Sequence, residues 1–176
     1  MTRYFKFVTA NLGAVYGYYQ YRFNRWSPLV EYPWICHRGY HAAPANGIFE
    51  WSEENLRLFE VEVRGEGIGE SPDTYDQKRA FTRMKLVKEY VFDEKLCTDY
   101  YNWIVSRFGD VPAKIHSRAV VEYGYAHAVV LPEEYADIAR WAAQQVWRDV
   151  ESQEEYAKEQ LIQRRWVEEH LVGVTI

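Results

Sequence analysis

Leu56-Arg57-Leu58-Phe59-Glu60-Val61-Glu62-Val63 is the stretch from which the fold is read. Leu58, Phe59, Val61 and Val63 are strand-forming side chains, and Glu60 and Glu62 face the other way, which predicts a β-strand with one apolar side. Gly65, Gly67 and Gly69 end it, and residues 65–76, rich in Gly, Glu, Ser and Pro without periodicity, predict a long loop. Strand character returns over Arg79–Phe92 through Phe81, Met84, Leu86, Val87, Tyr90 and Val91. Upstream, Arg3–Val8 alternates charged with apolar residues and predicts a half-buried first strand. Tyr16–Phe23, bounded by Gly13, Gly17 and Asn24, predicts a second strand or hairpin arm. Pro28 and Pro33 confine Leu29–Tyr32 to a short edge strand or an extended connection. Gly39–His41 reads as a tight turn, and Ala45–Glu54 as two helical turns.

Beyond Phe92 the period changes. Asp93 is placed to cap a helix covering Leu96, Tyr100, Trp103, Ile104 and Phe108, closed by Gly109. Pro112 suits the first turn of a second helix through Ile115, Val120, Tyr123 and His127. Pro132 opens a third with the stripe Tyr135, Ile138, Ala142 and Val146, and Glu154–Leu171 repeats the pattern as a fourth. The expected fold class is α+β: a strand-rich, mostly antiparallel region over residues 1–92, then about four helices over 93–176, packed on or beside the sheet in a single domain.

Composition bounds the classes of function. The chain has 176 residues, 48% hydrophobic and 27% charged, which are globular values. No run approaches the roughly 20 apolar residues of a membrane helix. The start, Met1-Thr2-Arg3-Tyr4-Phe5-Lys6-Phe7, lacks the features of a secretory signal, so a cytoplasmic location is expected. Cys36 and Cys97 are too few for a disulfide framework and are expected as free thiols. Thirteen of the thirty aromatic residues fall within residues 1–49, where five bases face Glu31 alone, so a net charge of −5 conceals a basic aromatic segment and an acidic remainder. Such a segment suits a nucleotide or a single nucleic-acid strand, while ordinary burial of Tyr and Trp explains the same composition. A duplex nucleic-acid partner is not expected.

The most motif-like element is Cys36-His37-Arg38-Gly39-Tyr40-His41-Ala42. As a zinc site it supplies three suitable side chains where four are needed, and no second cluster stands nearby, so no metal site is expected. As a nucleophilic site, Cys36 with His41 lacks a third orienting residue. The plainest reading is a turn that needs Gly39, with His41 hydrogen-bonded locally and Cys36 buried.

Tyr4-Phe5-Lys6-Phe7-Val8, Tyr16-Gly17, Cys36-x-x-Gly39-Tyr40-His41-Ala42, Phe59-Glu60-Val61-Glu62-Val63-x-Gly65-Glu66 and Asp76-x-Lys78 follow one another over about residues 3–92. In this order they resemble a family of small uncharacterised bacteriophage and prophage proteins. The resemblance implies a phage-linked accessory protein in a bacterial host cytoplasm, without an assigned activity. The Gly-aromatic-His segment, short helix and Phe-Glu-Val-Glu-Val strand are also similar to the central part of NAD-dependent ADP-ribosyltransferase-like domains. The chain departs from that pattern: it has no His-Gly-Thr and no Ser-Thr-Ser, and Glu60-x-Glu62 lies one strand too early. On this resemblance the late acid is Asp76, ahead of Glu70 and Asp73.

Two functions from different classes follow. In the first, a nucleotide pocket with NAD as its cofactor forms near Tyr4, Lys6, Tyr19, Arg22, Tyr40, His41 and Asp76. Lys6 and Arg22 neutralise phosphate, Tyr19 and Tyr40 stack a ring, and His41 and Asp76 are the catalytic pair, with His41 orienting ribose or nicotinamide. In the second, the acidic helices form a docking surface for a host or phage protein. Residues 132–171 carry ten acids against five bases, and Trp141, Trp147 and Trp166 are candidate anchors. A structural or virion-associated role is not separable from these by sequence.

Overall fold

The computed structural model describes residues 2–35, 37–51, 55–67, 78–109 and 153–174. Four strands carry the architecture: β1 (Tyr4–Val8), β2 (Tyr40–Pro44), β3 (Arg57–Glu66) and β4 (Arg79–Tyr90). All pair antiparallel, and the order β1-β2-β4-β3 closes into a barrel because β1 bonds to both β2 and β3. A 3-10 helix, Ala45–Trp51, follows β2, and two helices are described, α1 (Glu94–Phe108) and α2 (Gln153–His170).

The expected architecture is corrected in two respects. The strand region is a closed four-stranded antiparallel barrel rather than an open sheet, and the described helices are two, not about four. A period of two says which face of a strand is apolar, and closure depends on pairings between strands distant in sequence. The helices expected over Pro112–His127 and Pro132–Val146 lie outside the described residues.

Each strand face has its own core. Phe59, Val61, Phe81, Met84 and Leu86 fill the barrel with Val8, Tyr21, Tyr40 and Ala42. Phe5, Phe7, Leu58 and Tyr90 point outward and are covered by Ile48 of the 3-10 helix, Leu96, Tyr100 and Ile104 of α1, and Trp166 and Val167 of α2. β1 is therefore buried on both faces rather than half-buried. Asp93 caps α1, accepting a bond from the Leu96 backbone N–H at 2.9 Å, and Gly109 (φ 79°) ends it with its N–H bonded to the Val105 carbonyl. Trp166 stacks on Trp103 at 5.3 Å and belongs to this second core, so it is no surface anchor.

β4 is the spine. β3 runs along one of its edges from Leu58↔Tyr90 to Glu66↔Phe81, with a bulge at which Glu60 faces Lys88 and Val61 faces Leu86, leaving Val87 unmatched. The opposite edge is shared by three separate pieces of chain. β2 takes Arg79–Phe81. An extended segment follows, with Val30, Ser27 and Asn24 donating their N–H groups to the carbonyls of Thr82, Met84 and Leu86. Residues 172–174 bond to Glu89 and Val91. Ser27, fully buried, also accepts the Met84 N–H on its Oγ at 2.9 Å.

Residues 16–23 do not form the expected strand; the region makes only isolated bridges, Val8↔Ala14 and Gly13↔Gln20. Tyr16 and Tyr18 stay exposed, while Tyr19 and Tyr21 turn inward and pack edge to face with each other and with Tyr40 at 4.8 to 6.1 Å.

Candidate functional site

β1 and β2 begin as a ladder and then part. Tyr4 pairs with Pro44 and Phe5 with Ala43, and there the pairing stops, although β1 continues to Val8 and β2 reaches back to Tyr40. Gly39 sets the entry of β2: its φ of 107° is left-handed, and a side chain there would meet Pro33 Cβ at 2.7 Å. The chain before it turns tightly, the Arg38 N–H bonding to the Trp34 carbonyl and the Trp34 N–H to the Arg38 carbonyl, both at 2.8 Å.

The fork between the strands holds a cavity of about 510 Å³. Its walls come from both strand faces: Phe5, Phe7, Val15 and Ile48 are apolar, whereas Lys6, His37, His41, Lys78 and Tyr16 bring polar groups. Lys6 bridges the open part of the fork, donating from Nζ to the His41 carbonyl at 2.9 Å in place of a backbone N–H. Its ammonium also lies 5.7 Å from the centre of the Tyr21 ring.

The electrostatics are unusual for a lysine. Lys6 is deep in the protein yet keeps accessible surface beside the cavity, and no carboxylate lies within 4 Å of it among the described residues. Burial, with Lys78 adding like charge, pushes its ammonium down to about 8 from the usual 10.5. His41 experiences the same surroundings. Desolvation first, then the charges of Lys6 and Lys78, hold its imidazole down at about 4, against a hydrogen bond with the Trp34 backbone that favours the charged ring. At neutral pH His41 is an uncharged ring that can donate and accept hydrogen bonds.

Of the residues expected to form a pocket, Lys6 and His41 line this cavity together. The other described ones are placed elsewhere. Tyr40 is buried in the barrel among Tyr19 and Tyr21, and burial raises the Tyr19 hydroxyl above its ordinary range. Tyr4 packs edge to face on Phe81 at 5.0 Å, and Arg22 is exposed. Asp76 and Cys36 lie outside the described residues. Cys97 is a buried free thiol, pushed up to about 12 mainly by desolvation.

Sequence reasoning missed His37 and Lys78 as wall residues. Lys78 stood in the quoted block Asp76-x-Lys78, but nothing local says that β4 begins beside β2. Among the described residues no three His, Cys, Asp or Glu side chains gather as a metal would require, and no helix is long and apolar enough to cross a membrane.

The acids of α2 are mostly engaged within the fold. Glu154 and Glu155 hold Lys158 at 3.0 and 2.6 Å, and Glu159, almost wholly buried, accepts both terminal nitrogens of Arg107 at 2.7 and 2.6 Å. Comparison with protein-family models, curated proteins and solved structures gave no match.

Proposed function

We propose that this chain binds a small anionic organic ligand of nucleotide type in the fork between β1 and β2. The observation that carries the reading is the Lys6 ammonium, set beside a cavity with a second lysine in the same wall and no carboxylate within 4 Å of it among the described residues. A buried cation without a counterion gains most from an anion that enters beside it. A volume of about 510 Å³ is in the range of small-molecule sites, and the mixture of apolar walls with a few converging polar groups is their usual lining.

In this reading a phosphate lies toward Lys6 and Lys78, a sugar hydroxyl meets the neutral His41 ring, and a flat ring rests against Phe5, Phe7 and Val15. NAD and ADP-ribose are the ligands that the ADP-ribosyltransferase-like resemblance implies, and a phage accessory protein in a bacterial host cytoplasm is the setting implied by the resemblance over residues 3–92. Of the acids in the docking alternative, Glu159 is buried against Arg107, and Glu154 and Glu155 stay on the surface beside Lys158.

Thermal shift with NAD, ADP-ribose, AMP and pyrophosphate tests the proposal, since a ligand that binds only the folded state raises its stability. At least one is expected to raise the melting temperature, and Lys6→Met is expected to abolish that rise. Indifference of the protein to all four at millimolar concentration would overturn it.

A further inference from the structure

We propose that Lys6 is a carbonyl-reactive amine, forming a reversible imine with an aldehyde or ketone whose phosphate or carboxylate is directed to Lys78. The inference rests on the reading of the fork as an anion site and adds covalent chemistry to it.

The geometry meets what such an amine needs. Lys6 lines the cavity, so a ligand held there lies against its side chain. Its mapped polar partner is a carbonyl oxygen, which leaves the nitrogen available to attack once it has lost a proton, whereas a carboxylate partner would hold it as ammonium. A second cation in the same wall gives the anionic end of the ligand a place other than Lys6 itself. The Lys6 value of about 8 fits this role, because about a quarter of the side chain is neutral at pH 7.5 against about 0.1% for an ordinary lysine.

The reaction balances without an outside oxidant or reductant. The neutral Lys6 nitrogen attacks the carbonyl carbon, the C=O π bond breaks toward oxygen, and one proton passes from nitrogen to that oxygen to give a carbinolamine. The hydroxyl then leaves as water with one further proton from solvent, and the nitrogen lone pair forms the C=N bond of a protonated imine.

Pyridoxal 5′-phosphate is a suitable probe, since it joins an aldehyde, a flat ring and a phosphate. The intact chain would be treated briefly with it at pH 7.5, reduced with borohydride, and mapped by peptide mass. Lys6 is expected to be labelled about tenfold or more faster than the exposed Lys88 and Lys95, and its rate is expected to level off above about pH 8. Lys78→Ala should slow the labelling of Lys6 and leave Lys95 unchanged. Labelling of Lys6 no faster than Lys95 would overturn the imine. If the thermal shift with AMP or pyrophosphate persists in that case, and also in Lys6→Arg, the anion site stands and only the covalent step fails.

Discussion

Along its β3 edge β1 is paired at all five residues, from Tyr4↔Val61 to Val8↔Arg57, and along its β2 edge at Tyr4 and Phe5 alone. The two seams also treat charge differently. Beside the closed seam three cations hold carboxylates: Arg3 holds Glu60 at 2.7 Å with Tyr90 Oη completing the cluster, Arg57 holds Glu89 at 2.6 Å, and Lys85 holds Glu62 at 2.8 Å. Arg3 in turn keeps the Glu60 carboxyl below its ordinary range. In the open seam Lys6 has a carbonyl oxygen and the face of a ring. Among the described residues, these carboxylate pairs line the seam that is closed, and Lys6 lies where β1 and β2 part beside the cavity.

That contrast can be broken from either side. The largest effect is expected where a buried carboxylate loses its cation: Arg107→Ala, which strands Glu159, should cost about 3–5 kcal/mol in urea unfolding. His41 gives the next. Its folded-state value of about 4 lies below the ordinary 6.5, so between these limits the unfolded chain binds a proton that the folded chain refuses. Stability should therefore fall as pH drops from about 6.5 to about 4, by about 2 kcal/mol, and His41→Asn should flatten that part of the pH profile. The smallest has the opposite sign. Lys6→Met removes an uncompensated buried charge but leaves the His41 carbonyl without its donor, and the balance is expected to stabilise the protein by about 1 kcal/mol at pH 7 while ligand binding is lost. A protein destabilised by Lys6→Met would show that the lysine serves the barrel and not a ligand.

β1, legible from its alternation, and β3 and β4, legible from their strand-forming side chains, were identifiable, as was the α1 cap at Asp93, because each depends on neighbours in sequence. β2 was not: Tyr40-His41-Ala42-Ala43-Pro44 has no alternation and ends in a residue that lacks an N–H, so its strand state comes from Phe5 and Phe81 across the barrel. Tyr16–Phe23 misled in the opposite sense: Tyr19, Tyr21 and Phe23 pack against other rings and Tyr16 and Tyr18 face solvent, with no ladder between them. In the site, Lys6 and His41 were identifiable as a base and an imidazole within quoted motifs. Their juxtaposition with Lys78 was not, because it arises where β1 stops pairing with β2 and β4 starts.

The divided edge of β4 also has a consequence in time. Ser27 must find Met84, 57 residues further on, and residues 172–174 must return to the far end of the same strand. Each closure orders a long loop before its bonds form, and folding slows as such distant contacts make up more of the fold. Until both arrive, β4 presents an unpaired rim of carbonyls and N–H groups to any other chain that passes, so the interval between collapse and completion is when this protein is most exposed to misassembly.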